Sequence, residues 1–467
     1  MGDLASTLRT DNRPRESGGT AVHALYVLFD ADHPLAPTSR HRLDTVTEVE
    51  IARGSERVAS RDLLGSRPRL LLKIPDPRVS RPHAFVRTYG ERWIVQDARS
   101  TNGIRINGAV QREALLDDGD VIELGHSFLL YRRYPALTDP RADAVAPRGE
   151  GVLATWLPSL AARFDQLEAL AASQISALIL GPTGAGKELI ARAVHARSGR
   201  RGAFVPVNCG AIPRELIGSL LFGHRRGAFS GAHADQLGLV VSSSGGTLFL
   251  DEIADLPLDL QPALLRVLAE GESLAIGATA ATRVDLRVVA ATHQDLERMC
   301  AQGTFREDLL SRLAGYVLHL PPLAERREDL GLIVAALLGR LAGDRADQVR
   351  FTCDAARALI LHKWHRNVRQ LDVRLASALQ IAGGEPIALD HLALDPAPLP
   401  PALTPPAPAR PPWTAQERER RDQLIEVLSR NGGNITASAR ELGKPRSQFQ
   451  RWLKKYEIEP RGEPPDK

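Results

Sequence analysis

The run Leu178-Ile179-Leu180-Gly181-Pro182-Thr183-Gly184-Ala185-Gly186-Lys187-Glu188 restricts the fold of this chain more than any other stretch. The aliphatic residues read as a buried strand, the glycines as a tight loop, and residues 189–196 as the helix that follows. Such a loop lets backbone N–H groups close around phosphate oxygens. The helix N-terminus adds positive potential, and Lys187 can reach β- and γ-phosphates. Gly181, Pro182, Thr183, Gly184, Ala185, Gly186, Lys187 and Glu188 are therefore candidate nucleotide-binding residues, although Glu188 stands where a Ser or Thr more often meets Mg²⁺. Apolar runs at 177–180, 204–207, 247–250 and 287–291 alternate with helical patterns, the sequence form of an α/β domain with a largely parallel sheet.

The run Gly245-Gly246-Thr247-Leu248-Phe249-Leu250-Asp251-Glu252 places two acids at the end of a second strand. Asp251 is suited to hold Mg²⁺ through water, and Glu252 to orient and polarise an attacking water, the two tasks phosphoryl transfer requires.

At 467 residues the chain exceeds what one core can organise. Residues 1–43 lack periodicity and read as a mobile leader. From 44 to 134, short β-type runs (45–51, 70–74, 93–96, 127–131) between Gly, Pro, Asp and Asn turns predict a small β-sandwich. A polar linker is expected at 135–151, the α/β core at 152–322 and a helical lid at 323–395. A proline-rich spacer follows at 396–412, and a small all-α domain at 413–460. Apolar residues make up 43% and charged residues 25%, with no apolar run long enough to cross a bilayer and no secretory signal, so a cytoplasmic protein without a membrane partner is expected. Cys209, Cys300 and Cys353 are too scattered for a disulfide framework or a metal site.

With these motifs assembled, residues 175–395 resemble the AAA+ domain of bacterial enhancer-binding proteins, the sigma-54 activators, whose phosphate loop carries Glu at the position of Glu188. Gly227-Ala228-Phe229-Ser230-Gly231-Ala232 is similar to the family's GAFTGA loop and implies contact with sigma-54, with Ser230 replacing the usual Thr. The resemblance extends to Asn208, matching a switch residue that restrains the catalytic Glu, and to Arg306 and Arg312, matching arginines that reach the neighbouring subunit's nucleotide. Arginine suits that task through its permanently charged planar fork. Trp364-His365-Arg366-Asn367-Val368-Arg369 resembles WPGNVR and assigns nucleotide sensing to Arg369, with His365 and Arg366 in place of Pro and Gly. His293 stands where the family has a polar sensor Asn. The implied cofactors are ATP and Mg²⁺, and an active site completed between subunits implies a ring, a hexamer.

The β-rich segment resembles a forkhead-associated (FHA) domain through Asp76-Pro77-Arg78-Val79-Ser80-Arg81-Pro82-His83, Ser100-Thr101-Asn102-Gly103 and Asp118-Gly119-Asp120. That resemblance implies phosphothreonine binding by Arg53, Ser80, Arg81, Thr101 and Asn102, with His83 bracing the loop. Arg61 and Arg67 remain alternatives to Arg53. Residues 434–446 read as a helix, a turn and the start of another helix, and from Arg440 to Lys455 there are six bases and one acid. This resembles a Fis-type helix-turn-helix, with Lys444, Arg446, Ser447, Gln448, Gln450, Arg451 and Lys454 as candidate DNA contacts.

Together these expectations describe a multidomain activator: a β-sandwich of FHA type, an α/β AAA+ P-loop ATPase with a helical lid, and a helix-turn-helix domain. Its partners would be sigma-54 RNA polymerase, enhancer DNA, a phosphothreonine-containing protein and further copies of itself. With no receiver-type sequence before the ATPase, aspartyl phosphorelay is not the expected input. The alternative is a phospho-dependent DNA-binding regulator whose ATPase is inactive; a proteolytic or chaperone ring gives no reason for the 227–232 loop.

Overall fold

A computed structural model describes residues 21–134, 143–229, 231–394, 415–431 and 434–456. The chain parts into two compact units, Met1–Ala397 and Pro398–Lys467. The first holds a β-sandwich, a parallel α/β sheet and a helical lid. The proline-rich spacer expected at 396–412 lies outside the described residues.

In the sandwich, one sheet has the order β13-β2-β1-β12-β11-β8-β9. Its strands are β1 (Val22–Asp30), β2 (Ser39–Arg42), β8 (Ile104–Ile106), β9 (Ala109–Gln111), β11 (Val121–Leu124), β12 (Ser127–Tyr134) and β13 (Asp143–Ala144). The facing sheet, in the order β10-β7-β6-β3-β5-β4, contains β3 (Glu48–Arg53), β4 (Val58–Leu64), β5 (Arg67–Ile74), β6 (Ala84–Tyr89), β7 (Arg92–Asp97) and β10 (Glu113–Leu116). Two sequence expectations are corrected here. The leader does not extend to residue 43, because β1 pairs along its length with β12 and belongs to the sandwich. The segment 135–151 is not all linker, because Asp143 and Ala144 pair with β2.

The reason β1 escapes a period-two reading is burial on both faces. Leu25 and Val27 point into the sandwich core, whereas Ala24, Tyr26 and Leu28 join a second core with the lid helices. A strand covered on both sides carries a continuous apolar run, ALYVLF, instead of an alternating one. In β12, Leu129 and Tyr131 face the sandwich, while Phe128 and Leu130 face the lid. The lid side is supplied by the helices Leu330–Ala342, Cys353–Leu361 and Asn367–Ala382. Phe29 meets Phe351 edge-on with ring centroids 5.5 Å apart, and Phe351 N donates to Ala31 O at 2.8 Å. Sandwich and lid, expected from sequence to be separate bodies, thus share one core.

A charged turn crosses the same junction. Arg326 donates to Ala185 O at 2.7 Å and Arg327 to Gly119 O at 2.9 Å. Glu328, fully buried, accepts from Arg132 at 2.5 Å and from the Tyr134 hydroxyl at 2.6 Å. Asp329 accepts from Thr155 Oγ1 at 2.7 Å and Trp156 N at 2.6 Å.

The α/β sheet runs Phe204–Asn208, Thr247–Asp251, Arg287–Thr292, Ala177–Leu180, Tyr316–His319, all pairs parallel. The second unit packs the helices Ala415–Arg430, Ile435–Glu441 and Arg446–Lys455 around Leu424, Leu428, Phe449 and Leu453. Among the described residues no helix is long and apolar enough to cross a membrane.

Burial, together with the neighbouring Asp329, pushes the Glu328 carboxyl from 4.5 up to about 7 against the attraction of Arg132. A carboxyl raised in the folded state binds its proton more tightly there than in the unfolded chain. Its contribution to stability is therefore full below about pH 4.5 and lost as the pH rises through about 7. Unfolding of the wild type and Glu328→Gln, followed across this range, is expected to diverge by about 3 kcal/mol, because the amide has no proton to lose. Parallel pH profiles would remove Glu328 as the titrating group.

Candidate functional site

Parallel register brings the motif residues together. Asn208 pairs with Asp251, Asp251 with Ala291, and Leu180 with Thr292, so Gly181, Glu252 and His293 emerge at one edge of the sheet, beyond the strand carboxyl ends where α/β folds bind ligands. The loop cannot carry side chains at two points: a Cβ on Gly181 would lie 2.5 Å from Leu320 O, and one on Gly184 2.4 Å from Arg366 O. Gly184 and Gly186 take φ of +77° and +109°, and the helix Lys187–Arg197 opens at Gly186 without a side-chain cap. Left-handed glycines leading into an uncapped helix N-terminus fit a phosphate group.

Around that cradle, Lys187 is buried, donates to Gly181 O at 2.9 Å and lies 3.7 Å from Glu252. Glu252 adopts φ +50°, a left-handed conformation unusual for a residue with a Cβ. Its Oε2 meets His293 Nδ1 at 2.9 Å and accepts from Thr292 Oγ1 at 3.3 Å. Burial alone would raise the Glu252 carboxyl, but the His293 hydrogen bond and Lys187 hold it below its usual range. Asp251 moves the other way, raised by burial and by the Glu252 charge beside it. Asn208, expected to restrain Glu252, instead approaches Asp251 at 3.5 Å and caps Ala211 N at 3.0 Å. His293 makes the contact with Glu252, one that sequence comparison with an Asn sensor did not reveal. Glu188 faces outward and pairs with Arg192 at 2.6 Å.

The lid closes over the loop through Asn367, which sequence reasoning did not single out, and through the backbone of Arg369, which it did. Asn367, buried at φ +54°, donates to Thr183 O at 3.0 Å and accepts from Leu323 N at 2.8 Å, while Arg369 N donates to Gly184 O at 3.2 Å. The Arg369 side chain is exposed. Arg326, which reaches Ala185, was equally hidden; its only signal was a charged run following two prolines. Arg306 and Arg312 are both exposed, and Arg306 pairs with Asp308 at 2.7 Å.

Residues 227–229 and 231–232 lie at the tip of a hairpin whose stems Gly223–His224 and Gln236–Leu237 pair antiparallel. Gly227 N donates to Ala232 O at 2.8 Å and Ala232 N to Phe229 O at 3.0 Å, with Gly227 and Gly231 both at positive φ. Ala228 sits beside Gly277, Ala232 is buried, and Phe229 is 42% exposed with its ring 4.9 Å from that of His224. Ser230 lies outside the described residues.

In the sandwich, Arg53 ends β3 and its N–H donates to Ser80 O at 2.9 Å; Arg81 Nε donates to Arg53 O at 3.2 Å. Thr101 N donates to Ser80 Oγ at 3.1 Å and Asn102 Nδ2 to Arg78 O at 2.7 Å. All five predicted residues therefore meet at one end of the sandwich. The alternatives to Arg53 lie elsewhere: Arg61 is tied to Asp143 at 2.7 Å, and Arg67 begins β5. A groove of about 510 Å³, lined in part by Arg53, Glu56, Leu71, Lys73 and Arg81, adjoins the cluster. His83, fully buried, links the two loops: its Nδ1 accepts from Ser80 N at 2.9 Å, and its Nε2 lies 3.0 Å from Gly103 O. That pair of bonds assigns the proton to Nε2.

In the second unit, Asn434 caps Ile435–Glu441 by accepting from Thr436 N and Ala437 N at 3.0 Å. Lys444, Arg446, Ser447, Gln448, Gln450 and Arg451 are exposed at the turn and along Arg446–Lys455, while Phe449 and Leu453 face the core. Lys454 lies on the same helix.

Comparison with known proteins gives four family matches: a sigma-54 interaction domain at residues 154–319, an FHA domain at 63–125, an AAA+ ATPase lid domain at 324–401, and a bacterial regulatory protein of the Fis family at 417–456. The chain is 37% identical over 333 residues to transcriptional regulatory protein GlrR of Escherichia coli (strain K12), spanning 71% of this chain and 73% of that protein. It is 44% identical over 237 residues to the DNA-binding transcriptional regulator NtrC of Salmonella typhimurium, half of each chain. Among solved structures, NtrX from Brucella abortus in complex with ATP matches with a TM-score of 0.47 and 34% identity, over 66% of this chain and 70% of that one.

The His83 bridge generates a direct test. His83→Ala leaves Ser80 N–H without its acceptor and Gly103 O without its donor, and is expected to destabilise the sandwich by about 2–4 kcal/mol. Chemical denaturation measures this, and an unchanged midpoint would show that the ring does not brace the loops.

Proposed function

Because this chain belongs to the sigma-54-interacting family of bacterial transcriptional regulators, we propose that it hydrolyses ATP within an oligomeric ring, a hexamer, to remodel sigma-54 RNA polymerase and open promoters, under the control of phosphothreonine recognition by its FHA domain. The observation that carries this reading is the convergence of Lys187, Asp251 and Glu252 on an uncapped glycine loop, in a domain that also projects the Phe229 hairpin.

ATP with Mg²⁺ supplies a phosphoanhydride bond whose hydrolysis drives the change of shape. Lys187 is already within reach of the loop and would exchange Gly181 O for phosphate oxygens. Asp251 would hold Mg²⁺ through water. Glu252, once released by His293, would take a proton from the attacking water; losing that hydrogen bond removes part of what holds its pKa down and leaves it a stronger base for that step. Arg306 and Arg312, exposed on their own subunit, are free to complete a neighbour's site, and Arg369 would sense nucleotide from the lid. The exposed basic helix Arg446–Lys455 would enter the major groove of enhancer DNA. Arg53, Ser80, Arg81, Thr101 and Asn102 offer the charge-assisted donors that a phosphothreonine dianion requires.

The second reading, a phospho-dependent DNA-binding regulator with a silent ATPase, draws on the hold that His293 keeps on Glu252. Turnover by the full chain, measured at rising protein concentration, separates the two.

Glu252→Gln is expected to keep nucleotide affinity and assembly while lowering turnover by about 100-fold or more, since the amide keeps the shape but cannot accept the proton. Normal hydrolysis in the variant would remove Glu252 from this role. For the hairpin, Phe229→Ala should spare ATP hydrolysis and DNA binding yet reduce open-complex formation by about 30-fold or more, the effect of losing a hot-spot aromatic of about 2 kcal/mol. Promoter melting at the normal rate would overturn the assignment of this loop to sigma-54.

A further inference from the structure

The FHA sandwich and the nucleotide loop are held by consecutive parts of the lid: the sandwich by the helix Cys353–Leu361, the loop by Asn367 and Arg369 at the start of the next helix. The helix Cys353–Leu361 is nine residues and about 13 Å long. At its N-terminal end Cys353 Sγ donates to Gly125 O at 3.6 Å, and Arg357 holds Glu123 of β11 through two bonds of 2.7 Å. Gly125 belongs to the turn that anchors the phosphothreonine loop. Asp76 accepts from His126 N at 2.7 Å and Ser127 Oγ at 3.1 Å, and its other oxygen accepts from Arg78 N at 2.8 Å. Arg78 O in turn accepts from Asn102 at 2.7 Å.

At the C-terminal end of the helix, Trp364 Nε1 donates to Leu359 O at 3.0 Å, and Asn367 N to Trp364 O at 2.7 Å. Three residues beyond Trp364, the Asn367 side chain grips Thr183 O of the nucleotide loop, and Arg369 N holds Gly184 O. The connection is continuous from Asn102 to Gly184, and the shared apolar core behind it keeps the sandwich from swinging independently of the lid.

From this geometry we infer that phosphothreonine binding and nucleotide binding are positively coupled through the lid, with the sandwich and lid moving as one body. The inference rests on the nucleotide and phosphothreonine readings above. A nucleotide that fixes the lid against its loop also fixes the helix Cys353–Leu361, the Gly125 turn and the Asp76 loop. Ordering of the phosphothreonine site is then supplied in advance, which favours its ligand. By linkage the phosphopeptide tightens nucleotide binding by the same factor, and couplings of this kind amount to about 5-fold or more.

Gly331 supplies the control. It lies in the helix Leu330–Ala342, where a Cβ would sit 2.1 Å from Leu28 O of β1, so Gly331→Ala favours the helix itself and acts as a wedge between sandwich and lid. Hydrogen exchange of the full chain, with and without ADP and Mg²⁺, reads both sites at once. Slower exchange is expected at residues 181–187 and 366–369 and also, by about 5-fold, at residues 75–84 and 100–107 in the sandwich. In Gly331→Ala the nucleotide loop should keep its response while the sandwich loses it. Arg357→Ala, which cuts the Glu123 link without touching the core, should weaken the sandwich response and serves if the wedge prevents folding.

Protection confined to the AAA+ segments of the wild type would overturn the coupling and leave nucleotide binding standing. A sandwich response that survives both variants undiminished would also overturn it. No protection at 181–187 would refute the nucleotide reading, and the coupling with it.

Discussion

The four charged residues Arg326 to Asp329 hold this architecture together, because each is spent on a different neighbour. Arg326 takes a carbonyl of the nucleotide loop, Arg327 a carbonyl of the sandwich, Glu328 the Arg132–Tyr134 pair of β12, and Asp329 the chain that enters the ATPase core. Charges taken out of water are costly unless paired, and removing one member of such a set leaves another stranded. The turn therefore fixes position more than it adds stability: the bonds its four residues make require sandwich, linker, nucleotide loop and lid to be assembled together.

Much of the chemistry was legible because it sits in short motifs with a fixed physical purpose. The glycine loop, the paired acids and the loops of the FHA sandwich are each local in sequence. Parallel pairing then carries local motifs to one edge, as with Asn208, Asp251 and Thr292. What escaped was long-range. The sequence showed His293 as a replacement for Asn, but its grip on Glu252 depends on two strand ends meeting. The sequence left Arg53 and Arg61 as alternatives, and Arg61 is tied to a partner eighty-two residues away, Asp143. Strand β1 was missed because its second face is covered by helices more than 300 residues later, and an apolar run without alternation does not declare itself a strand.

The left-handed backbone at Glu252 fits the same logic. A residue with a Cβ holds φ of +50° only when its surroundings over-determine it, and here Thr292 and His293 take its carboxylate from one side while Lys187 faces it from the other. The site is thus arranged around a carboxylate that is charged, oriented and occupied.

The two-faced burial of β1 also bears on how such a protein can change over evolution. A domain joined by a tether can be exchanged, lost or duplicated with little effect on its neighbour. Here, cutting away the sandwich would strip the cover from Leu330, Val334, Leu338, Phe351 and Leu359, presenting to water an apolar surface of the kind that drives association. The AAA+ part of this chain is consequently not a transplantable module. Its lid has become half of a hydrophobic core, and any lineage that replaced the front domain would first have had to repaint that face with polar residues.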